Sequence, residues 1–478
     1  MSLNLDIRKL NRLLEKEEFR VNISNEELLY YLNKTFKRTI KIFDQISDNK
    51  FKSGLELSAK GEDINPILWQ CGHIIYFYKK HCHHFFNLQT NEYIDSIIDF
   101  YDSFKTKSKF RSNEDKLLSI YILKEEFNEL YEIFKKSLLS QKDNSKKKYV
   151  LLLSVLHNEM HIESLIFSGL HLDYQFKDFI SVGLTNISLR GNSKNVIKTP
   201  TFIKIAKGNF IQGSKSLAKY LSFDNERPVF RKFLEDFEIS ETPITEYQFL
   251  QFILANGYKK REYWEEESWD WIQKKNINCP LYWNLNTKHL KLRESNYPVC
   301  NISWYEAKAY CKWSGNRLPT ESEWEYVATF GGRYNYPWGN TINPQYCNLN
   351  YTVNRPLEVD DNRLKCEKSL FNVKQLIGNV WEWCEEEIYP YEGFNIDPVY
   401  REMSYPFFGF KKICRGGCFA VPDSLIHSRY RNAQMPDCRI QFIGFRVCKI
   451  KKPEIDNDIN LKELREKRRR KIDLYTDL

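Results

Sequence analysis

The chain has 478 residues, 72 Lys and Arg against 63 Asp and Glu, and a net charge of +9; 42% of it is hydrophobic and 28% charged. That length suggests two or three domains, and the composition is ordinary for a soluble globular protein. No run of about 18 apolar residues offers a membrane span, no apolar segment behind Met1 reads as a secretory leader, and the scattered basic residues argue against a nucleic-acid partner.

From about residue 5 to 175, Gly and Pro are scarce and apolar residues recur at helical spacing, as in Ile75–Tyr78, Ile97–Tyr101, Leu117–Ile122 and Tyr149–Leu153. The lysine-rich stretch Gln141–Lys148 reads as a turn between helices. Four or five amphipathic helices with short connections predict an antiparallel bundle over residues 1–180. After about residue 195 the texture changes. Short β-type runs, Phe202–Ile205 and Gly208–Phe210, alternate with turns, and helical patterns recur at Thr245–Asn256 and Ser303–Ser314, with Thr245 as a cap. Residues 196–450 therefore predict an irregular α+β domain. Residues 451–478, with the run Lys467-Arg468-Arg469-Arg470-Lys471, read as a solvated charged tail.

Twelve cysteines are present, ten of them after residue 270, without a C-x-x-C pair. With no export signal, reduced thiols in the cytoplasm are the expectation. Cys414 and Cys418 flank Arg415-Gly416-Gly417 and are expected to be structural.

The sharpest local signal is Leu156-His157-Asn158-Glu159-Met160-His161-Ile162-Glu163. Histidines at i and i+4 stack on one helix face, so both imidazoles reach one metal ion. The order is not H-E-x-x-H, so the metalloprotease reading fails. Glu163 falls on another face and reads as an outer or structural carboxylate rather than a ligand, with a solvent-facing salt bridge as the alternative. A third ligand is wanted from another helix. His73, on the apolar stretch Trp69–Ile75, is the best candidate; His81, His83 and His84 follow lysines and look more exposed. Such histidines are also commonly just packed residues. Three neutral nitrogens with open positions suit iron(II), zinc or copper alike.

The second half carries an ordered series: Phe223–Pro228, Pro243–Tyr247, Asn301–Ala307, Arg317–Glu325, Tyr336–Asn340, Gly378–Trp383, Arg415-Gly416-Gly417 and Gly444-Phe445-Arg446. This series resembles the formylglycine-generating-enzyme fold, a variant of the C-type lectin fold. That family's two active cysteines are replaced here by Val421 and Ile426, so its own chemistry is not implied. A histidine-bearing bundle fused ahead of this fold resembles the sulfoxide synthases of ergothioneine and ovothiol biosynthesis. The resemblance implies a DinB-like four-helix bundle and an iron(II) ion held by His73, His157 and His161. It further implies O₂-dependent joining of a cysteine-type thiol to the imidazole of hercynine or histidine, giving a sulfoxide. The insert Tyr258–Trp283 and the stretch Pro390–Phe394 resemble the ergothioneine branch, and no methyltransferase domain follows, as it does in many ovothiol enzymes. Selenoneine- or ovothiol-type synthesis with another donor, and a non-catalytic lectin-like binding protein, stand as alternatives.

Carried over by position, Tyr400 of Tyr400-Arg401-Glu402 matches a tyrosine placed as proton donor, since a phenol near pKa 10 is an acid at neutral pH. Asn432 is suited to a substrate polar group, while Gln434 and Cys438 stand where relatives using γ-glutamylcysteine have Asp and Arg; Arg439 is one step out of register. Arg111 is suited to a substrate carboxylate. Met160 stands where relatives have Gln, and Met403 where they have Tyr. The expected partners are small molecules only: thiol donor, histidine derivative and O₂, with neither nucleic acid nor membrane.

Overall fold

The computed structural model describes residues 10, 14, 21–47, 64–88, 92–140, 144–172, 195–215, 221–291, 293–353, 355–361, 364 and 369–451. Most of the expected boundary between residues 180 and 196, and the tail beyond Lys451, lie outside these residues.

Four long helices build the first half: α1 (Asn25–Phe43), α2 (Ile67–Phe86), α3 (Ile120–Leu139) and α4 (Ser145–His171). Side-chain caps set where three of them start. Ser24 accepts from the Glu27 amide, Ser119 from that of Ile122 and Asn144 from that of Lys147, satisfying amide donors that a helix start leaves orphaned. Asn144 therefore begins α4 earlier than the lysine content suggests, and Ser145–Lys148 form its first turn rather than a loop. In α1, Leu28, Leu32, Thr35, Thr39 and Ile42 are buried at helical spacing. A fully buried Leu or Ile contributes roughly 1.5–3 kcal/mol. Helix α4 packs on α1 and α2, and α3 packs on the same two, so the four close into a bundle.

Helix α4 is different. Every residue from Tyr149 to Glu159 is buried, because the bundle covers one side and the second half the other. Length and composition alone would let Ser145–His171 cross a membrane, contrary to the expectation that no such segment exists. Most of its apolar surface is buried inside the protein, as befits a helix that is apolar all round.

The second half is built on three small sheets, β1 (Phe202–Ile205), β4 (Phe237–Ser240), β10 (Cys448–Lys449) and β5 (Asn316–Arg317) in one, β2 (Gly208–Gln212) and β3 (Phe230–Leu234) in another, and β8 (Asn432–Gln434), β7 (Lys412–Arg415), β6 (Trp381–Glu387) and β9 (Ile443–Gly444) in the third. Helices α5 (Glu246–Leu254), α6 (Trp304–Ser314) and α7 (Glu321–Ala328) each begin with a capping box, closed by Thr245 with Gln248, Ser303 with Glu306 and Thr320 with Glu323. The whole is an α+β multidomain chain with one hydrophobic core running through both halves.

The motif residues of the second half hold this irregular fold together. Arg415 pairs with Glu321 at 3.0 Å and Glu325 at 2.7 Å, and Arg446 with Glu382 at 2.6 Å, all fully or nearly fully buried. Trp324 Nε1 donates to the same Glu382 at 2.7 Å. At Gly416, φ is +92° and a Cβ would come within 2.6 Å of the Leu376 carbonyl, so only glycine fits between the buried Arg415 and that carbonyl.

Candidate metal centre and adjoining cavity

His157 and His161 lie on α4, and α2 brings His73 against them. Their ring centroids are 4.5 to 5.1 Å apart, and one nitrogen from each lies within 4.8 Å of the others. His73 Nδ1–H donates to the Tyr101 carbonyl at 2.6 Å. A carbonyl only accepts, so this bond fixes the tautomer and leaves Nε2 as the ligand atom. Gly72 makes the contact possible, because a Cβ there would overlap the Tyr101 ring at 2.1 Å. Trp69 stacks on the His73 ring at 5.1 Å.

Burial disfavours the charged imidazoles. It holds His73 down to about 4, and pushes His157 and His161 well below the usual value, with the neighbouring histidines adding to the effect. All three rings are therefore neutral at physiological pH, the state in which imidazole binds metal. The Nδ1 atoms of His157 and His161 are buried without a hydrogen-bond partner. An orphaned buried polar atom costs about 1–3 kcal/mol, and two of them beside a third neutral imidazole fit a metal ion that takes up nitrogen lone pairs. Phe77 covers the group from one side, stacked at 3.6 Å on His157.

Next to His161 a cavity of about 250 Å³ opens between α4 and the second half, lined by Met160, Glu163, Tyr400, Tyr430, Asn432 and Gln434 among others. Tyr400 packs edge-on against Phe77 at 4.8 Å and His157 at 5.4 Å. A buried carboxylate pair holds its backbone. Asp397 Oδ1 accepts from the Val399 and Tyr400 amides at 2.8 and 3.0 Å, while its Oδ2 accepts from Tyr149 of α4. Asp224 in turn accepts from the Asp397 amide at 3.2 Å and from the hydroxyl of Ser404. Burial, reinforced by the charge of Asp397, pushes Asp224 up to about 7.

The structure thus brings His73, His157, His161, Tyr400, Asn432 and Gln434 together. Several expectations are corrected. Arg111 is held outside the cavity lining: Nε donates to Thr106 O, Nη1 to Asn65 Oδ1 and Nη2 to Ser103 O, and its guanidinium lies 4.2 Å over Trp69. It braces the ring that stacks on His73. Arg439 is buried in an ion pair with Glu306 at 3.1 Å and donates to the Cys279 carbonyl, so its guanidinium is occupied away from the cavity lining. Glu163 neither touches the histidines nor faces solvent. Its Oε1 accepts from Trp381 Nε1 at 2.8 Å and from the Cys418 thiol at 3.1 Å, tying α4 to the second half. Burial raises both the Glu163 carboxyl and the Cys418 thiol, which keeps Cys418 a protonated, unreactive thiol. His81 is half-buried against Phe77 at 4.3 Å, not exposed. Val421 and Ile426 are fully buried apolar residues, and Met160 Sδ accepts from the Tyr430 hydroxyl at 3.4 Å.

Lys411 also lines the cavity and was not found from the sequence. A signal existed: adjacent residues of a strand face opposite ways, and Lys411-Lys412 enter β7 as a pair. Asp224 and Asp397 carried none, since their pairing joins segments 173 residues apart.

Residues 189–451 match the family model described as "Sulfatase-modifying factor enzyme 1-like domain". The chain is 33% identical over 251 residues to the "Hercynine oxygenase" of Mycobacterium tuberculosis, covering 50% of this chain and 58% of that one. It is 31% identical over 262 residues to the "Hercynine oxygenase" of Mycolicibacterium smegmatis, covering 52% and 60%. Against the "Formylglycine-generating enzyme" of Streptomyces coelicolor it is 28% identical over 285 residues, covering 51% and 87%. The chain thus spans about 60% of the length of the hercynine oxygenases it matches. The family match takes in more than half of the residues, including the buried Arg415 and Arg446 motifs that hold the second half together, and by it the chain belongs to the family of the sulfatase-modifying factor enzyme 1-like domain.

Proposed function

We propose that this protein is an oxidoreductase of the hercynine-oxygenase type, joining a cysteine-type thiol to the imidazole of hercynine or histidine with O₂ as oxidant. One observation carries the reading: three neutral imidazoles converge beside a cavity that also holds a phenol and two amides. The relatives named hercynine oxygenase support it.

In this reading His73, His157 and His161 hold iron(II), which when bound supplies the activation of O₂. The bundle that carries them is read as DinB-like. Every other task falls to the chain itself. A cavity closed on α4 by Phe167 and Met160 orients two small substrates against one another, which removes much of the entropic cost of their meeting. Asn432 Oδ1 is engaged by the Ala433 amide at 2.8 Å, and its amide nitrogen serves as a donor to substrate. Gln434 supplies a second amide on the same strand. Tyr400 supplies a proton from its hydroxyl, and Asp397 holds it in position. We take the protein to work in a reducing, cytoplasmic compartment, in which buried thiols such as Cys414 and Cys418 stay reduced.

The test is direct. Iron-loaded protein is incubated aerobically with hercynine or histidine and with cysteine, γ-glutamylcysteine or a selenosugar, and the products are identified by mass. A coupled sulfoxide is the expected product; iron-loaded protein that forms no carbon–sulfur or carbon–selenium bond with any pair overturns the reading.

A further inference from the structure

Besides the neutral His161, the cavity is lined by Glu163, Arg431 and Lys411 among its ionisable side chains. Arg431 is committed, with Nε and Nη2 on Glu321 at 2.7 and 3.0 Å. Glu163 is partly engaged by Trp381 and Cys418. Lys411 is not matched in this way. Its neighbour Lys412 pairs with Glu387 at 2.8 Å, whereas among the described residues no carboxylate pairs with Lys411. Its ammonium instead lies 3.7 Å over the ring of Phe407, another cavity residue. Burial lowers its pKa, as expected for a cation that has lost water without gaining an anion.

Position narrows the ligand. Lys411 lies beside Phe407 and Ile388, whose amide donates to the Lys411 carbonyl at 2.8 Å, on the side of the cavity that the second half supplies, whereas the histidines lie on the bundle side. A cavity of about 250 Å³ takes amino-acid-sized molecules. With Arg111 and Arg439 both held elsewhere, Lys411 carries the cation that the cavity presents to a ligand.

We propose that Lys411 binds the α-carboxylate of an amino-acid substrate, so that the other end of the molecule is turned toward the histidines. This rests on the thiol–imidazole reading above, and the carboxylate belongs either to the histidine derivative or to the thiol amino acid.

Calorimetric titration of the metal-loaded full chain without oxygen separates these sources. Histidine is compared with histamine, and cysteine with cysteamine, each pair differing by the carboxylate. Losing a hydrogen bond to a charged group weakens binding by about ten- to hundredfold. Lys411→Met is expected to weaken histidine or cysteine by that factor and to leave the matching amine unchanged, and the pair that responds identifies the substrate. Lys411→Arg is expected to keep the preference for the carboxylate. The proposal is overturned if Lys411→Met binds all four molecules as the unmodified protein does, or if Lys411→Arg loses the preference as fully as Lys411→Met. In those cases coupling by the unmodified protein leaves the proposed function standing. An unmodified protein that binds none of the four overturns this proposal, while the proposed function is then decided by the coupling assay with hercynine, γ-glutamylcysteine and the selenosugar.

Discussion

The buried motif arginines of the second half and the buried histidines of the bundle differ in what they face. In the second half three buried arginines face carboxylates: Arg415 meets Glu321 and Glu325, Arg431 meets Glu321, and Arg446 meets Glu382. In the bundle, by contrast, His157 and His161 keep orphaned nitrogens in an apolar surround. Burying a charge is tolerable only with a partner, so the paired arginines serve the fold. Burying lone pairs without a donor is a cost the fold does not recover, and a metal ion at the histidines would recover it. Helix α4 joins the two regimes, presenting His161 to the cavity and Glu163 to Trp381 two residues later.

Four substitutions break or sharpen this contrast, from the largest expected effect to the smallest. His161→Ala removes one of three ligands and one orphaned nitrogen. Metal content and turnover should collapse while the thermal midpoint holds or rises; full metal occupancy in this variant would refute the ligand set. Tyr400→Phe keeps the ring that packs on Phe77 and removes only the hydroxyl. Positioned proton donation is worth about 10²–10⁴-fold, so coupled product should fall by that order and oxidised thiol should take its place at unchanged metal content, as read by mass spectrometry. An unchanged sulfoxide yield would assign the proton to another donor. Arg446→Ala leaves Glu382 buried without its cation and should cost about 3–5 kcal/mol, read as denaturant midpoint, with far less effect on the spectroscopic signature of bound metal in protein that stays folded.

The smallest effect concerns pH. Asp224, held at about 7 in the folded chain against about 3.9 when unfolded, is favoured in its neutral form by folding. Its contribution is complete below the unfolded value and is lost as pH rises through about 7, at no more than about 1.4 kcal/mol per pH unit. Asp224→Asn mimics the neutral form: its amide nitrogen can donate to Ser404 while its oxygen accepts from Asp397. Stability of this variant relative to the parent should therefore climb between about pH 4 and pH 7. Parallel curves across that range would show that Asp224 is not buried in its neutral form.

Much of this was legible in the residues. Helical periodicity marked α2 to α4, and Thr245 marked the start of α5, because such signals are local and span one or two turns. The pair His157 and His161 could be read because four residues make one turn. His73 was legible only as the histidine of an apolar helix; its tautomer came from Tyr101, 28 residues away. Arg111 and Arg439 show the opposite limit. A guanidinium offers five donors, and sequence does not say whether a substrate or the chain's own carbonyls will occupy them.

What the sequence determined by itself is the set of elements, the family motifs and the two histidines one turn apart, since each depends on spacing along one segment. What only the tertiary structure decided is which side chains share the cavity. Asn432, Tyr400 and Lys411 meet His161 because β7, β8 and the Asp397 turn dock on α4 through contacts more than 200 residues apart, among them Tyr149 with Asp397 and Glu163 with Trp381. Contacts of that range are fixed by how two whole surfaces pack, and no local pattern encodes them.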